Sequence, residues 1–336
     1  MRVLIVKTSS MGDLIHFFPA LTDAGQFFPE IEFDWVVEES FAAIPSWHPL
    51  VKRVIPVSLR RMRKNGLLKL DQARRQEWKT MFADLRAQSY DYVVDAQGLV
   101  KSAFLSFLAR GKRVGLDWSS ARESLASLFY QKKCRVNFQQ HAITRGRQLL
   151  SLALDYPLPA TAPDAGLKNT AAGNGPLVFV PGTTWASKAW PEVYWIELAH
   201  LLAAKGFKIK VSGGTEAELA YAARLAAACP AVEALPRLSL GEMSNILANA
   251  QGVIAVDTGL AHLAAALGVP TVSLYGATNP AFTGAIGKRA IQLAATFPCS
   301  PCLKRNCTYR DNAPITPACY RSLTPEKVAA ALLEIN

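Results

Sequence analysis

Three short segments of this chain set hydroxyl, carboxylate and cationic side chains at spacings that could handle a proton and a phosphate. The first is Lys7-Thr-Ser-Ser-Met-Gly-Asp13, where an apolar run gives way to an amphipathic one. Asp13 stands at or near a helix start. A carboxylate there caps backbone N–H groups and complements the helix dipole, and it can equally take a proton from a substrate hydroxyl.

The second segment is Val180-Pro-Gly-Thr-Thr-Trp-Ala-Ser-Lys188-Ala-Trp-Pro191. The hydroxyls of Thr183 and Thr184 with the Lys188 ammonium form a plausible phosphate cradle, and an ordinary polar loop fits the same spacing. In the third segment, Val256-Asp257-Thr-Gly-Leu-Ala-His262, an apolar strand runs straight into a helix whose first N–H groups lie beside Gly259. Helix N-termini bind phosphate, and Thr258 and His262, four apart, share one helical face. The plainer reading makes Asp257 an N-cap and His262 an interior histidine; both readings can hold together.

Other chemistries are disfavoured. The turn after the first strand lacks the G-x-G-x-x-G of dinucleotide enzymes and the G-K-[ST] of P-loop enzymes. No D-x-D cluster stands beside the phosphate motif, and no nucleophilic triad can be assembled around the five histidines. Between Val51 and Ser89 there are eleven Lys or Arg against three acidic residues, including Arg60, Arg61, Arg63 and Lys64. Such a run is usually a solvated face, but this one follows a strand directly and so lies at the carboxyl edge of a sheet. An acidic acceptor or acidic lipid headgroups would suit it. Cys299, Cys302, Cys307 and Cys319 do not match paired zinc-ribbon spacing, so reduced, packed thiols are expected rather than a metal site.

The elements that must position these residues alternate along the chain. Val3–Val6, Phe33–Val37, Val51–Val57, Tyr92–Val94 and Val114–Leu116 read as strands, with a long basic helix over Asp71–Gln88. A Pro-, Gly- and Ala-rich stretch follows, and strands resume at Leu177–Val180, Phe207–Val211, Gly252–Val256 and Pro270–Leu274, with helices over Pro191–Lys205 and Ala217–Ala228. The expectation is an α/β protein with two parallel-sheet domains. They span residues 1–155 and 176–322, joined by a linker over 156–175, and a terminal helix in 323–336 packs across the junction. A ligand cleft between the carboxyl ends of the two sheets follows from that layout.

The chain's 336 residues are 50% hydrophobic and 19% charged, which supplies two cores and excludes a small binding module or a disordered chain. A formal net charge of +11 favours an anionic partner. The opening apolar run is too short for a signal-peptide core, and Gly and Pro interrupt the uncharged stretch Thr258–Gly287, so a cytoplasmic chain with at most peripheral membrane contact is expected.

The segments KTSSMGDLIHFFPALTDA, FDWVVEESFAAIPSWHP, VKRVIPVSLRRMRK, YDYVVDAQGLVKSA, ARESLASLFY and QQHA, with TTWASKAWP, LPRLSL, VDTGLAHLAAAL and YGATNP in the second half, closely resemble the bacterial heptosyltransferases of glycosyltransferase family 9. The likeness runs over nearly the whole chain. It implies a GT-B architecture of two Rossmann-like domains, the acceptor in the first and the nucleotide sugar in the second. It also implies inverting transfer of L-glycero-D-manno-heptose from ADP-heptose to the Kdo of Kdo2-lipid A, with no cofactor and no metal.

On that resemblance Asp13 is the general base, and Lys188 assists catalysis at the leaving diphosphate. Thr183, Thr184, Lys188, Glu218, Leu238, Asp257, Thr258, Gly259 and His262 hold the donor, and Ser10, Arg60, Arg61, Arg63, Lys64, Gln97, Lys101 and Arg122 the acceptor. The RRMRK and DAQGLVKSA segments point to members that use Kdo as acceptor, whereas the Cys299–Cys319 segment is more like members that add a later heptose. The implied partners are ADP-heptose, Kdo2-lipid A and the anionic cytoplasmic face of the inner membrane, and no nucleic acid. The alternatives are a family 9 transferase with another acceptor, or a non-catalytic basic membrane-surface protein.

Overall fold

The computed structural model describes residues 1–59, 61, 72–309 and 314–335. Two compact units divide the chain, Met1–Leu167 and Lys168–Asn336. In the first, six strands, β1 (Arg2–Val6), β2 (Glu32–Glu38), β3 (Val51–Val57), β4 (Ser89–Asp95), β5 (Arg110–Leu116) and β6 (Lys132–Cys134), form one sheet in the order β3-β2-β1-β4-β5-β6. Every pairing is parallel. Strand β1 pairs on both edges, and its Val3, Leu4, Ile5 and Val6 are fully buried. A central parallel strand covered on both faces reads as an unbroken apolar run, and this one does.

The second unit repeats the wiring with β7 (Leu177–Val180), β8 (Ile209–Val211), β9 (Val232–Ala234), β10 (Val253–Val256), β11 (Thr271–Tyr275) and β12 (Ala290–Ala294) in the order β12-β11-β10-β7-β8-β9. Each sheet is therefore doubly wound about its first strand. The connections leave in opposite directions at the β1/β4 boundary of one sheet and the β7/β10 boundary of the other. Such boundaries open a crevice at the carboxyl ends of the strands.

One local expectation is revised. The helix after Asp13 is broken into Met11–Ile15 and Phe18–Phe27, because Pro19 lacks an N–H and starts a new helix at its first turn. The terminal helix Pro325–Ile335 packs against the helix Glu192–Ala203 and strand β11 of the second unit, with Val328 and Leu332 fully buried in that core.

In the first unit the helix Ala142–Leu154 is tied to Phe18–Phe27 by a buried bidentate pair, Arg147 Nε and Nη2 donating to Asp23 at 2.6 and 3.2 Å. Removing one member of such a pair strands the other charge in the interior. Arg147→Leu is expected to destabilise the first unit by about 3 kcal/mol, and Asp23→Asn in that background to restore part of the loss. Urea denaturation of the full chain measures both.

Candidate active site

The richest cluster of functional side chains lies at the β7/β10 boundary of the second unit. The loop after β7 carries Thr183 and Thr184 into a 3-10 turn, Ala186–Lys188, and Asp257 directly follows β10. Lys188 Nζ lies 2.7 Å from Asp257 Oδ2, and both side chains are largely buried. Thr278 Oγ1 donates to the same oxygen at 2.7 Å, and His262 Nε2 stands 3.7 Å from Oδ1. Burial pushes the Asp257 carboxyl up, but His262 and the Lys188 ammonium outweigh it and bring the group down to about 2. The Lys188 ammonium also lies 4.7 Å from the centroid of the Trp185 ring, a cation–π contact.

Thr258 is the N-cap of the helix Gly259–Ala266 and makes no side-chain cap bond; the Ala261 N–H donates to the Thr258 carbonyl, and the Gly259 and Leu260 N–H groups are not capped by that side chain. Glu218 is the third residue of the helix Glu216–Ala228, and its Oε2 accepts from the backbone N–H groups of Gly214 and Thr215. A Cβ at Gly182 would lie 2.5 Å from Glu218 Oε1, so any larger residue there would have to displace this carboxylate. Beside them is a cavity of about 610 Å³ lined by Gly182, Thr183, Trp190, Glu218, Tyr221 and Pro317, among others. Its walls include only Thr183 and Glu218 of the expected donor residues. Thr184 is exposed at the surface, and Leu238 is half-buried just before the helix Leu240–Asn249.

In the first unit Asp13 occupies the third position of the helix Met11–Ile15. Its Oδ2 accepts from the Ser10 backbone N–H at 2.9 Å and from Ser10 Oγ at 2.7 Å, so the carboxylate both caps the helix and is held in place. Lys7 and Arg145 feel its charge. Burial pushes the Lys7 ammonium below its usual value against the pull of Asp13 and Asp95, and burial lowers Arg145 against the pull of Asp13. Lys7 Nζ donates to the Ala96 carbonyl and Gln97 Oε1 accepts from the Thr8 N–H, which joins the β1 loop to the β4 loop across the sheet's own crevice.

Gln97 thus braces the Asp13 loop. Lys101 and Arg122 are exposed. Arg61 is engaged by Glu77 at 3.1 Å and Glu39 at 3.5 Å. Arg60, Arg63 and Lys64 lie outside the described residues.

Sequence reasoning missed Thr278, Trp185, Lys7, Arg145 and Asp95. Asp95 is fully buried and accepts from the N–H groups of Gln97 and Gly98, from Ser102 Oγ and from Tyr130 OH, and so shapes the loop that presents Gln97. Thr278 was within reach of inference: it follows β11, the parallel neighbour of β10, and so returns to the same sheet edge as Asp257. The cysteines Cys299, Cys302, Cys307 and Cys319 surround a small cavity of about 40 Å³ as free thiols. Burial beside the other three pushes the Cys319 thiol up to about 11. Among the described residues no group of three or more His, Cys, Asp or Glu is arranged to hold a metal ion, and no helix is long and apolar enough to cross a membrane.

Doubly wound sheets with a cation, a carboxylate and an open helix N-terminus at one crevice define a class: α/β proteins built to grip an anionic, nucleotide-like ligand. Comparison with known proteins narrows it. The glycosyltransferase family 9 (heptosyltransferase) model matches residues 78–312, and the chain belongs to that family. It is 50% identical to lipopolysaccharide heptosyltransferase 1 of Pseudomonas aeruginosa, covering 99% of this chain and 97% of that protein. It is 49% identical to lipopolysaccharide heptosyltransferase 1 of Escherichia coli K12, covering 86% and 92%. The E. coli heptosyltransferase WaaC solved with ADP superposes with a TM-score of 0.88 at 44% identity over the whole of both chains. The same enzyme solved with ADP-2-deoxy-2-fluoro heptose gives 0.83 over 99% of each. The fold is therefore that of the GT-B heptosyltransferases.

The depressed Asp257 carboxyl makes a pH prediction. Its value in the fold, about 2, lies below that of an unfolded aspartate, so its contribution to stability is complete above about pH 4 and is lost as pH falls towards 2. The parent is expected to lose about 2 kcal/mol more than Asp257→Asn across that interval. Denaturant titrations of both proteins at stepped pH read the difference.

Proposed function

We propose that this chain transfers L-glycero-D-manno-heptose from ADP-heptose to the Kdo of Kdo2-lipid A with inversion, at the cytoplasmic face of the inner membrane. The observation that carries the reading is the Lys188, Asp257, Thr278 and His262 cluster at the β7/β10 crevice, in a chain half identical to a lipopolysaccharide heptosyltransferase 1. The chemistry needs a base for the acceptor hydroxyl and a sink for the charge that gathers on the departing diphosphate.

Asp13 suits the first task. Ser10 fixes its Oδ2, and the carboxylate is partly open to solvent, so its other oxygen can take the proton while the orientation stays set. Lys188 and the N–H groups at the start of Gly259–Ala266 suit the second. When the diphosphate arrives, the ammonium can share its charge with the incoming oxygens, while Thr278 and His262 keep Asp257 from standing as a bare buried anion. An ammonium and a helix N-terminus supply the positive field that other nucleotide-sugar enzymes take from a divalent ion. Thr183 and Glu218, facing the 610 Å³ cavity, fit the nucleoside end, with Trp190, Tyr221 and Pro317 as apolar walls.

Two measurements test the assignment. Asp13→Ala is expected to cut kcat by about 10²- to 10⁴-fold while ADP affinity stays within about twofold; equal losses in both would make Asp13 a structural cap only. Thermal-shift titration with ADP, UDP and GDP is expected to show stabilisation by ADP, weakened at least about tenfold in Lys188→Met. Stabilisation by none of the three would favour a non-catalytic surface protein.

A further inference from the structure

The helix Val100–Leu108 buries Ala103 and Leu105 together with Ser102 and Ser106, yet leaves Val100, Phe104 and Phe107 facing solvent at helical spacing. The serines have internal partners: Ser102 Oγ bonds Asp95 and the Leu99 carbonyl, and Ser106 Oγ bonds the Ser102 carbonyl. The phenylalanines have few: Phe104 is 41% exposed and Phe107 51%.

The 3-10 helix Ser124–Phe129 packs alongside and extends the same surface with Leu125 at 57% and Leu128 at 65% exposure. The Phe107 and Phe129 rings meet edge to face at 6.1 Å, so the two elements form one apolar patch. Cations rim it. The Arg113 guanidinium lies over the Phe107 ring at 5.3 Å, Lys101 is exposed on the helix between Val100 and Phe104, and Arg122 is exposed just before the second element. Glu123 on this face is committed to the Val100 N–H.

A contiguous apolar patch on a soluble-type fold marks a contact surface, and the ring of Lys and Arg states what it contacts. Apolar residues that enter an acyl boundary while long cationic side chains reach the headgroups are the signature of interfacial docking. We propose that this face of the first unit docks on an anionic phospholipid bilayer, with Phe104, Phe107, Leu125 and Leu128 entering the interface and Lys101, Arg113 and Arg122 meeting the headgroups. This gives the membrane contact of the proposed function a place on the molecule. It rests on that reading only for the reason a bilayer is needed, since vesicle binding is measured without turnover.

The test uses the full chain in flotation with vesicles of phosphatidylethanolamine and phosphatidylglycerol, against vesicles of phosphatidylcholine alone. The parent is expected to float with the anionic vesicles. The fourfold variant Phe104→Ser, Phe107→Ser, Leu125→Ser, Leu128→Ser is expected to lose at least about tenfold in apparent affinity and to keep the parent's thermal shift with ADP. Should the fourfold variant fail to fold, Leu128→Trp, at a side chain already mostly exposed, reports in its place: brominated acyl chains are expected to quench its added emission.

Failure of the parent to float, flotation of the folded fourfold variant like the parent, or added emission left unquenched would each overturn the proposal. So would a parent dimer that the substitutions dissolve while neither protein binds vesicles. If no protein responds to ADP, the donor reading fails and the vesicle result stands by itself.

Discussion

A buried ion pair costs several kcal/mol per ion in lost hydration, and replacing one by apolar side chains is often neutral or stabilising. The Lys188–Asp257 pair is therefore not explained by stability. Its position explains it. Asp257 directly follows β10 and Lys188 closes the loop after β7, and these are the two neighbouring strands from which the chain departs in opposite directions. No crossover helix covers the sheet edge there, so the crevice must be finished by side chains. Thr278 from the loop after β11 and His262 from the following helix complete the environment of the carboxylate. With those donors in place the ammonium is held by an anion it can share. On the proposed reading that is the physical basis of a diphosphate site.

The first unit answers the same topological problem with different residues. Its crevice, at β1/β4, is crossed by Lys7 donating to Ala96 and by Gln97 accepting from Thr8. Both groups serve the backbone of the loop that leads into Asp13. Lys7 is enclosed enough for burial to weaken its charged form, and Asp13 and Asp95 are the carboxylates that oppose this. One sheet thus presents a held carboxylate and the other a held ammonium, each at the point where identical wiring leaves room for a ligand. That division of labour is what a transfer between an acceptor hydroxyl and an anionic donor asks for.

Most of this was legible in the sequence because parallel sheets write themselves as apolar runs. The runs at Val3–Val6, Leu177–Val180 and Gly252–Val256 gave the central strands and, with them, the loops that carry Asp13, Lys188 and Asp257. Three of the four strands at the sheet margins, all but Val51–Val57, left no such trace. Lys132–Cys134 and Val232–Ala234 are three residues each, and Ala290–Ala294 is only partly buried, so each becomes a strand through its neighbour's register rather than its own pattern. In the site, the motif residues Asp13, Lys188 and Asp257 were found, while Lys7 and Asp95, though at strand ends, and side chains arriving from elsewhere were not. Arg145 reaches the Asp13 region from a helix more than a hundred residues away, and its spacing in the chain carries no sign of that. The reading of Arg61 as an acceptor cation likewise could not anticipate Glu39 and Glu77, which come to it only in the fold.

Asp95 links the crevice of the first unit to its outer surface. A fully buried carboxylate needs donors, and here they are the N–H groups of Gln97 and Gly98, the Tyr130 hydroxyl and the Ser102 hydroxyl. The need for Ser102 fixes which side of the helix Val100–Leu108 turns inward, and helical geometry then sends positions 100, 104 and 107 outward. Nothing in that requirement asks those positions to be apolar; lysine or glutamate would satisfy the fold equally and keep the surface wet. Phenylalanine at two of them, continued by Leu125 and Leu128 on the neighbouring element, needs a cause outside the unit's own packing. An acceptor reading supplies one in physical terms: a glycolipid offers its sugar only within reach of a bilayer, and a helix that orients the Gln97 loop from within can meet that bilayer from without.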